Sequence, residues 1–379
     1  MPRDFVWGTF ATRDGAKLRW GHRPVSQPRA HFVLVSGFGD FIEKQFETIR
    51  DLAALGFAVW CLDWRGQGGS TRPTRWPNRP RARRFERDGE ELTAFTRRYL
   101  PQDQPRVLLA HSMGGAIALL CLRRDPRLFD AVVLSAPMFG LVIGRAPWAL
   151  RLVTVPARYS ILGLCRLPGS RRWHPTEPPT PDRSLITSDS ERCRLRHAWV
   201  TADPRLALHQ PTFAWLDPAL ALLTRIHRPQ FLAQIRTPIL LGSPGREYVV
   251  ARSAHRRIAR HLPDCTFVEL PGSKHEAALE ADSIREGWLA RIDRFVAERI
   301  EGRAGNFAES TVTVDVPINE AIRIKQGPLW PALTHYLGGT SVGRLLHETR
   351  RLGRCFTRWR LRLGGGKRLR PARTGARSR

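Results

Sequence analysis

The sequence predicts an α/β protein with a mostly parallel sheet, helices on both faces and an insertion of short helices. Three observations lead there. Short Val- and Leu-rich runs lack polar alternation, as strands buried on both faces do. Segments of helical apolar spacing separate these runs. The alternation then breaks for about a hundred residues and resumes near the C-terminus of the ordered part.

The first strong strand is His31–Ser36 (HFVLVS), ending at Gly37. Ile42, Phe46, Ile49 and Ala53 follow at helical spacing, and Gly56 supplies the stop. Phe57–Trp64 is the next strand. Leu92, Phe95 and Tyr99 mark a second helix, ended by Pro101. Arg106–Ala110 and Asp130–Ser135 are strands, with a helix between them that begins after Ser112 and ends near Pro126. From Gly140 to about Arg236 the chain is rich in Pro, Trp and Arg with short helices, and reads as an insertion. Thr237–Gly242 and Cys265–Leu270 restore the strand rhythm. A last helix puts Ile284, Trp288, Ile292, Phe295 and Ile300 on one face. The expected organisation is a core first part over 1–140, a cap over 141–235, a core second part over 236–301, and a basic extension over 302–379.

The 379 residues carry 62 Lys+Arg against 34 Asp+Glu, a net charge of +28. Only five of the bases are lysine, which leaves 57 arginines. Such a balance suits an anionic membrane or a polyanion, yet most arginines are scattered as on a solvated surface. The dense cluster is C-terminal, where residues 301–379 hold 16 Lys+Arg and 5 Asp+Glu. Its end, RWRLRLGGGKRLRPARTGARSR, has little apolar periodicity and no acid, and reads as disordered. No nucleic-acid motif accompanies the charge, so no specific nucleic acid is expected.

Cys61, Cys121, Cys165, Cys193, Cys265 and Cys355 form no CxxC pair and have no His at metal spacing, so no metal is expected. Several lie in apolar runs, as reduced core thiols of a cytoplasmic protein do. The start, MPRDFVWGTF, has no apolar signal core, and no charge-free apolar stretch is long enough to span a bilayer.

The strongest chemical signal is LLAHSMGGAIALL. An apolar strand runs into Ala110-His111-Ser112-Met113-Gly114-Gly115 and then into a helix. That is the context of a nucleophile elbow, in which residues two before and two after the serine must be small. Ala110 stands where glycine is usual, and is still small. An oxyanion hole needs two backbone donors. Met113, after the nucleophile, is one. Phe38, in the Ser36-Gly37-Phe38-Gly39 loop, is the other. The base should follow the last strand, and Pro271-Gly272-Ser273-Lys274-His275-Glu276 offers His275. The acid should follow the strand before. Glu247 is the one carboxylate between Arg236 and Pro263, with Asp264 as the fallback. His255 falls on the next helix and is expected at the surface.

At these residues the sequence resembles the α/β-hydrolase superfamily, and more narrowly the bacterial lysophospholipase and monoacylglycerol-lipase-like serine hydrolases. The resemblance is carried by FIEKQF (Phe41–Phe46), LDWRGQGGS (Leu62–Ser70), AHSMGGAIAL and SKHEAALEADSIR (Ser273–Arg285). In the insertion it is carried by LITSDSER (Leu185–Arg192) and ADPRLALHQPTFAW (Ala202–Trp215). It spans about residues 5–300. It implies an α/β-hydrolase fold with a helical cap, no cofactor, and a Ser–Asp/Glu–His mechanism on lipid monoesters, with Ser112, Glu247 and His275 at the triad positions and Phe38 and Met113 at the oxyanion positions. Two features depart from the pattern: Ser36 stands where histidine is usual, and Thr71–Arg87 is unusually basic and Pro-rich at the site entrance. The C-terminal extension faintly resembles the start of a helix-grip ligand-binding domain, in STVTVDVPINEA (Ser310–Ala321), Leu329–Pro331 and His335–Thr340.

The expected substrate is a small-molecule lipid ester, with a peripheral contact to an anionic membrane. Trp148, Phe213, Trp215 and Leu216 of the cap either line an acyl pocket or pack the cap on the core. The competing expectation is a catalytically weak or inactive protein of this fold that binds anionic lipid or another polyanion.

Overall fold

A computed structural model describes residues 4–142, 147–167 and 178–302, with the backbone alone for 147–149. Eight strands form one sheet: β1 (Val6–Ala11), β2 (Lys17–Arg23), β3 (Ala30–Val35), β4 (Phe57–Leu62), β5 (Arg106–His111), β6 (Ala131–Ser135), β7 (Ile239–Pro244) and β8 (Cys265–Leu270). Their order is β1-β2-β4-β3-β5-β6-β7-β8. The pairs β1–β2 and β2–β4 are antiparallel and the other five are parallel.

The parallel strands show why apolar runs without alternation fold this way. On β3, Val33 and Val35 face one side of the sheet and Phe32 and Leu34 the other. On β5 the same split puts Leu108 and Ala110 opposite Val107 and Leu109, and on β6 Val132 and Leu134 opposite Ala131 and Val133. Each face needs a helical cover, so every strand position must be apolar. Each such Val or Leu removed from water stabilises the fold by about 1.5–3 kcal/mol.

The helices supply both covers. These are α1 (Phe46–Ala54), α2 (Phe85–Tyr99), α3 (Met113–Arg124), α4 (Pro147–Arg158), α5 (Arg192–Ala202), α6 (Phe213–Ile226), α7 (Pro229–Leu232), α8 (Arg252–Ala259) and α9 (Asp282–Val296). Ile49 and Leu52 of α1 and Trp288, Ile292 and Phe295 of α9 cover one face. Leu92 and Phe95 of α2, Ile117 of α3 and Ile258 of α8 cover the other. Gly56, at φ +87°, ends α1 in the left-handed region, where glycine carries no Cβ penalty.

The hairpin β1–β2 has no counterpart among the strands read from sequence. It lies at the sheet edge, where most of its side chains are exposed or half-buried, so the continuous apolar signal of the central strands is missing. His255 is a correction. It is fully buried on α8, its Nδ1 2.9 Å from Ser243 Oγ and its Nε2 2.8 Å from Pro137 O. The surface expectation failed because residue 255 lies three before Ile258, on the helix face that packs on the sheet.

Helices α4–α7 lie between β6 and β7. Asp217 of α6, almost wholly buried, takes Arg151 and Arg158 of α4 at 3.2 Å and 2.9 Å. Arg192 of α5 ties this layer to the core through Glu47 at 2.8 Å and Asp282 at 2.7 Å. Cys61, Cys121 and Cys193 are buried free thiols, and Cys165 and Cys265 are half-buried free thiols. Among the described residues no helix is long and apolar enough to cross a membrane. The extension expected over 302–379, its helix-grip resemblance and Cys355 lie outside the described residues, save Gly302.

Trp288 is buried against Gly242 of β7, where an added Cβ would come within 2.6 Å of its ring. Trp288→Ala is therefore expected to cost about 3–5 kcal/mol, read as a lower urea midpoint at unchanged slope.

Candidate active site

Open α/β sheets gather their functional loops at the carboxyl ends of the strands. Here the loops after β3, β5, β7 and β8 carry the candidate residues. Ser112 sits between β5 and α3 with φ +50° and ψ −115°, a conformation an L-residue holds only when its surroundings enforce it. They do so by hydrogen bonds: Ser112 N–H donates to Ser135 O at 3.0 Å, and Ser112 O accepts from Met138 N at 2.8 Å. They do so also by close approach. A Cβ on Gly114 would fall 2.9 Å from Ser36 O, and one on Gly37 would fall 2.9 Å from Ser112 Cβ. Ala110 is fully buried and accommodated.

The Ser112 hydroxyl lies 2.9 Å from His275 Nε2. His275 Nδ1 lies 2.7 Å from Glu247 Oε2. The other Glu247 oxygen accepts from Val249 N at 2.7 Å and Val250 N at 3.1 Å. Burial works to raise the Glu247 carboxyl. The His275 hydrogen bond and charge, with these two N–H groups, outweigh it and hold the carboxyl below its ordinary range. The structure thus brings Ser112, His275 and Glu247 together. It keeps Asp264 apart: that residue precedes β8, at the opposite end of the strand, and pairs with Arg299 at 3.1 Å.

Met113 is the first residue of α3, so its N–H has no intrahelical acceptor. Phe38 lies in the loop after β3, its ring 4.6 Å from that of Trp215. The segment Leu62–Ser70 braces this loop. Trp64 Nε1 donates to Ser36 O at 2.8 Å, Asp63 accepts from Ile42 N at 3.0 Å, and Gln67 Oε1 accepts from Gly39 N. From the cap, Arg196 Nε donates to Gly39 O at 3.2 Å.

Beneath the site lies a buried ionic clamp that the sequence reading missed. Lys44 Nζ lies 2.7 Å from Asp40 Oδ1 and 2.5 Å from Glu276 Oε2, and Gln45 donates to the other Glu276 oxygen at 3.0 Å. Burial opposes the ammonium, but the two carboxylates outweigh it and hold Lys44 above its ordinary range. Burial likewise opposes the Glu276 carboxylate, and Lys44, His111 and Gln45 outweigh it and hold it well below the usual range. Asp40, His111 and Glu276 have donor atoms within 4.8 Å of one another, and the Lys44 ammonium already supplies the cation they would share. Burial pushes His111 down to about 4, so it is neutral at pH 7. The clamp's only sequence signal was that Lys44 and Glu276 fall inside the FIEKQF and SKHEAALEADSIR segments.

Of the cap residues, Trp215 and Leu216 are buried in the main core, and Trp215 also lines a cavity with Phe38 and Met113; Phe213 is half-buried. The side chain of Trp148 lies outside the described residues.

With this geometry in place, the comparisons with known proteins are specific. Residues 26–282 match the family described as serine aminopeptidase, S33. The lysophospholipase L2 of Escherichia coli K12 is 30% identical over 283 residues, covering 69% of this chain and 79% of that protein. The monoacylglycerol lipase of Mycolicibacterium smegmatis is 31% identical over 264 residues, covering 68% and 85%. Among solved structures, a soluble variant of the Saccharomyces cerevisiae monoglyceride lipase in complex with a substrate analogue superposes with TM-score 0.61 at 17% identity, covering 79% and 95%. A carboxyl esterase from Bacillus coagulans gives 0.63 at 17%, covering 78% and 98%. The two structures bear on the fold alone. The chain belongs to the S33 hydrolase family and has the α/β-hydrolase fold. Within it, the chain is lysophospholipase- and monoacylglycerol-lipase-like, an enzyme of the carboxylic ester hydrolase class.

Removing the clamp's cation leaves two buried carboxylates without their shared ammonium. Lys44→Met is expected to cost about 3–5 kcal/mol at pH 7, measured by urea denaturation. Glu276 is held below its unfolded value of about 4.3. Its contribution is therefore complete above that pH and is lost as pH falls through the lower folded value. The gap between wild type and variant should accordingly shrink below about pH 4. A gap that stayed constant on acidification would contradict this account.

Proposed function

We propose that the enzyme cleaves lipid monoesters, lysophospholipids or monoacylglycerols, through an acyl-enzyme on Ser112. The observation that carries this is the unbroken relay from the Ser112 hydroxyl through His275 to Glu247, at 2.9 Å and 2.7 Å, built on a strained turn. The names of the lysophospholipase and monoacylglycerol lipase relatives support the substrate class.

In this mechanism Ser112 Oγ attacks the acyl carbonyl while His275 Nε2 takes its proton. Glu247, at Nδ1, fixes the tautomer that leaves Nε2 free to accept, and it stabilises the imidazolium that forms. Backbone N–H groups of Phe38 and Met113 receive the oxyanion, a pair worth about 10²–10³ in turnover per donor. The tetrahedral intermediate collapses, His275 protonates the departing alcohol, and the acyl group stays on Ser112. Water then attacks with the same base and releases the fatty acid.

Ser112→Ala is expected to abolish labelling by a fluorophosphonate probe that the folded wild type takes up. Glu247→Gln keeps the shape but loses the charge on Nδ1, and should lower kcat about 10³–10⁴-fold on a monoacylglycerol. Wild type that stays unlabelled while folded would overturn the mechanism.

A peripheral contact with anionic membrane is part of the proposal. It is supported by apolar side chains left exposed on α4 and the turn after it, Leu152, Val153, Tyr159, Ile161 and Leu162, with Ile161 95% exposed. The chain's overall excess of arginine suits an anionic leaflet. The protein is expected to co-sediment with vesicles containing phosphatidylglycerol and much less with neutral ones, and Leu152→Asp/Ile161→Asp should weaken both. Equal binding to the two vesicle types would refute the electrostatic part.

A further inference from the structure

The basic, Pro-rich stretch Thr71–Arg87 plays no part in the relay, yet it forms one wall of a cavity beside it. The cavity, about 280 Å³, begins at Phe38 and Met113, the two oxyanion donors, and passes Leu208 and Trp215. Its far wall carries five arginines, at 65, 81, 83, 84 and 87, against two aspartates, Asp14 and Asp88. Ser112 and His275 are not in its wall. It adjoins them through Phe38 and Met113, the residue after Ser112.

The charges in that wall are not balanced. Arg65 and Arg87 are both shared between Asp14 and Glu91. Arg84 reaches Glu90 at 3.5 Å. Among the described residues, Arg81 and Arg83 have no carboxylate within ion-pair distance, and both are exposed at the cavity rim. Asp88 offers less competition: burial and the neighbouring Glu91 push its carboxyl up to about 8. The wall is held in place by its backbone. Arg158 of the cap donates to Arg83 O at 2.5 Å, Thr212 Oγ1 donates to Pro80 O at 2.6 Å, and Ala82 N donates to Ala214 O at 3.3 Å. Two guanidiniums without a carboxylate among the described residues, on an anchored loop lining the cavity that reaches Phe38 and Met113, match the oxygens of a phosphate.

We propose that Arg81 and Arg83 form a head-group site that selects lysophospholipids with a net anionic head, such as a phosphomonoester or phosphoglycerol, over the zwitterionic choline ester and over neutral monoacylglycerol. The proposal rests on the ester-hydrolase reading of Ser112 and sharpens its substrate. A choline head carries its own cation into a wall that is already positive, and a glycerol head gives the two arginines no charge to meet. The anionic lysolipid alone gains two charge-assisted contacts without that repulsion.

The test uses the full chain and short-acyl substrates kept below their micelle concentrations, so that attraction to a charged surface does not enter. With equal acyl chains, kcat/KM on lysophosphatidic acid should exceed that on lysophosphatidylcholine and monoacylglycerol by about tenfold or more. Arg81→Ala/Arg83→Ala should remove this preference, mainly through KM, while monoacylglycerol turnover changes less than about twofold. Arg81→Lys/Arg83→Lys should retain part of it, since a point charge replaces the planar fork. Arg260→Ala/Arg291→Ala, which removes the same charge elsewhere on the surface, should leave it intact. A second readout avoids turnover altogether. Glycerol 3-phosphate titrated into Ser112→Ala protein should bind, and adding the two alanine substitutions should weaken it about tenfold.

Equal kcat/KM on the three wild-type substrates, an equal fall on all three in the double variant, or no glycerol 3-phosphate binding to Ser112→Ala would each overturn the head-group site. Monoacylglycerol cleavage without head-group preference would defeat this inference and spare the ester-hydrolase reading. Glycerol 3-phosphate binding without cleavage of any lipid would do the reverse.

Discussion

Everything in the site depends on one backbone conformation, the positive φ of Ser112 at the end of β5. A residue held there costs on the order of 1–3 kcal/mol, and only a surrounding that over-determines it can keep it. That surrounding consists of the neighbouring strand ends. β6 accepts the Ser112 N–H, the chain after β6 donates to its carbonyl, and Gly37 and Gly114 let the β3 loop and α3 close to van der Waals limits. The strain is therefore supported by the most buried part of the sheet, where fully covered Val and Leu side chains leave little room to relax.

The loops that meet at this turn are fixed by two polar devices with different chemistry. One is neutral-to-ionic bracing from Leu62–Ser70, in which Trp64, Asp63 and Gln67 hold the backbone of residues 36–42. The other is the Lys44 clamp, which joins Asp40 of the loop after β3 to Glu276, the residue after His275. The clamp thus couples the segment that offers Phe38 to the segment that offers His275. A buried ion pair contributes little net stability over an apolar replacement. Its place in this molecule is better explained by register, since a cation shared between two loops fixes their separation in a way that apolar contact does not.

How much of this could be read from the chain follows from how local each signal is. Strands β3 to β7 were legible because burial on both faces forces unbroken apolar runs, whereas β8, half-exposed at the other edge, was read from its place in the strand–helix rhythm. Ser112, His275 and Glu247 were legible because each stands in a short loop after a strand, with few residues of the required type nearby, and the structure brings the three within hydrogen-bond reach. The hairpin β1–β2 was not legible, because an edge hairpin with half-exposed faces lacks the buried-run signal. The clamp was not legible because Lys44 and Glu276 are 232 positions apart, and nothing local marks either as buried. His255 misled because a polar residue on a helix reads as solvent-facing until Ser243 and Pro137 are seen to satisfy its ring.

Composition and site meet in the arginines. With 62 basic and 34 acidic side chains, the chain cannot give every guanidinium a carboxylate. The acids that exist are concentrated where structure needs them: Glu47 and Asp282 on Arg192, Asp217 on Arg151 and Arg158, Asp14 and Glu91 on Arg65 and Arg87. Other carboxylates pair arginines elsewhere, such as Asp63 with Arg19, Asp293 with Arg29 and Asp51 with Arg285, and the arginines in excess of the acids are left for solvent or for a ligand. On an open surface such charges are screened within about 8 Å at physiological salt. In a narrow cavity with low-dielectric walls their field is focused on whatever enters. At Arg81 and Arg83 the same excess stands at the rim of the cavity that reaches Phe38 and Met113, where an entering ligand would meet it.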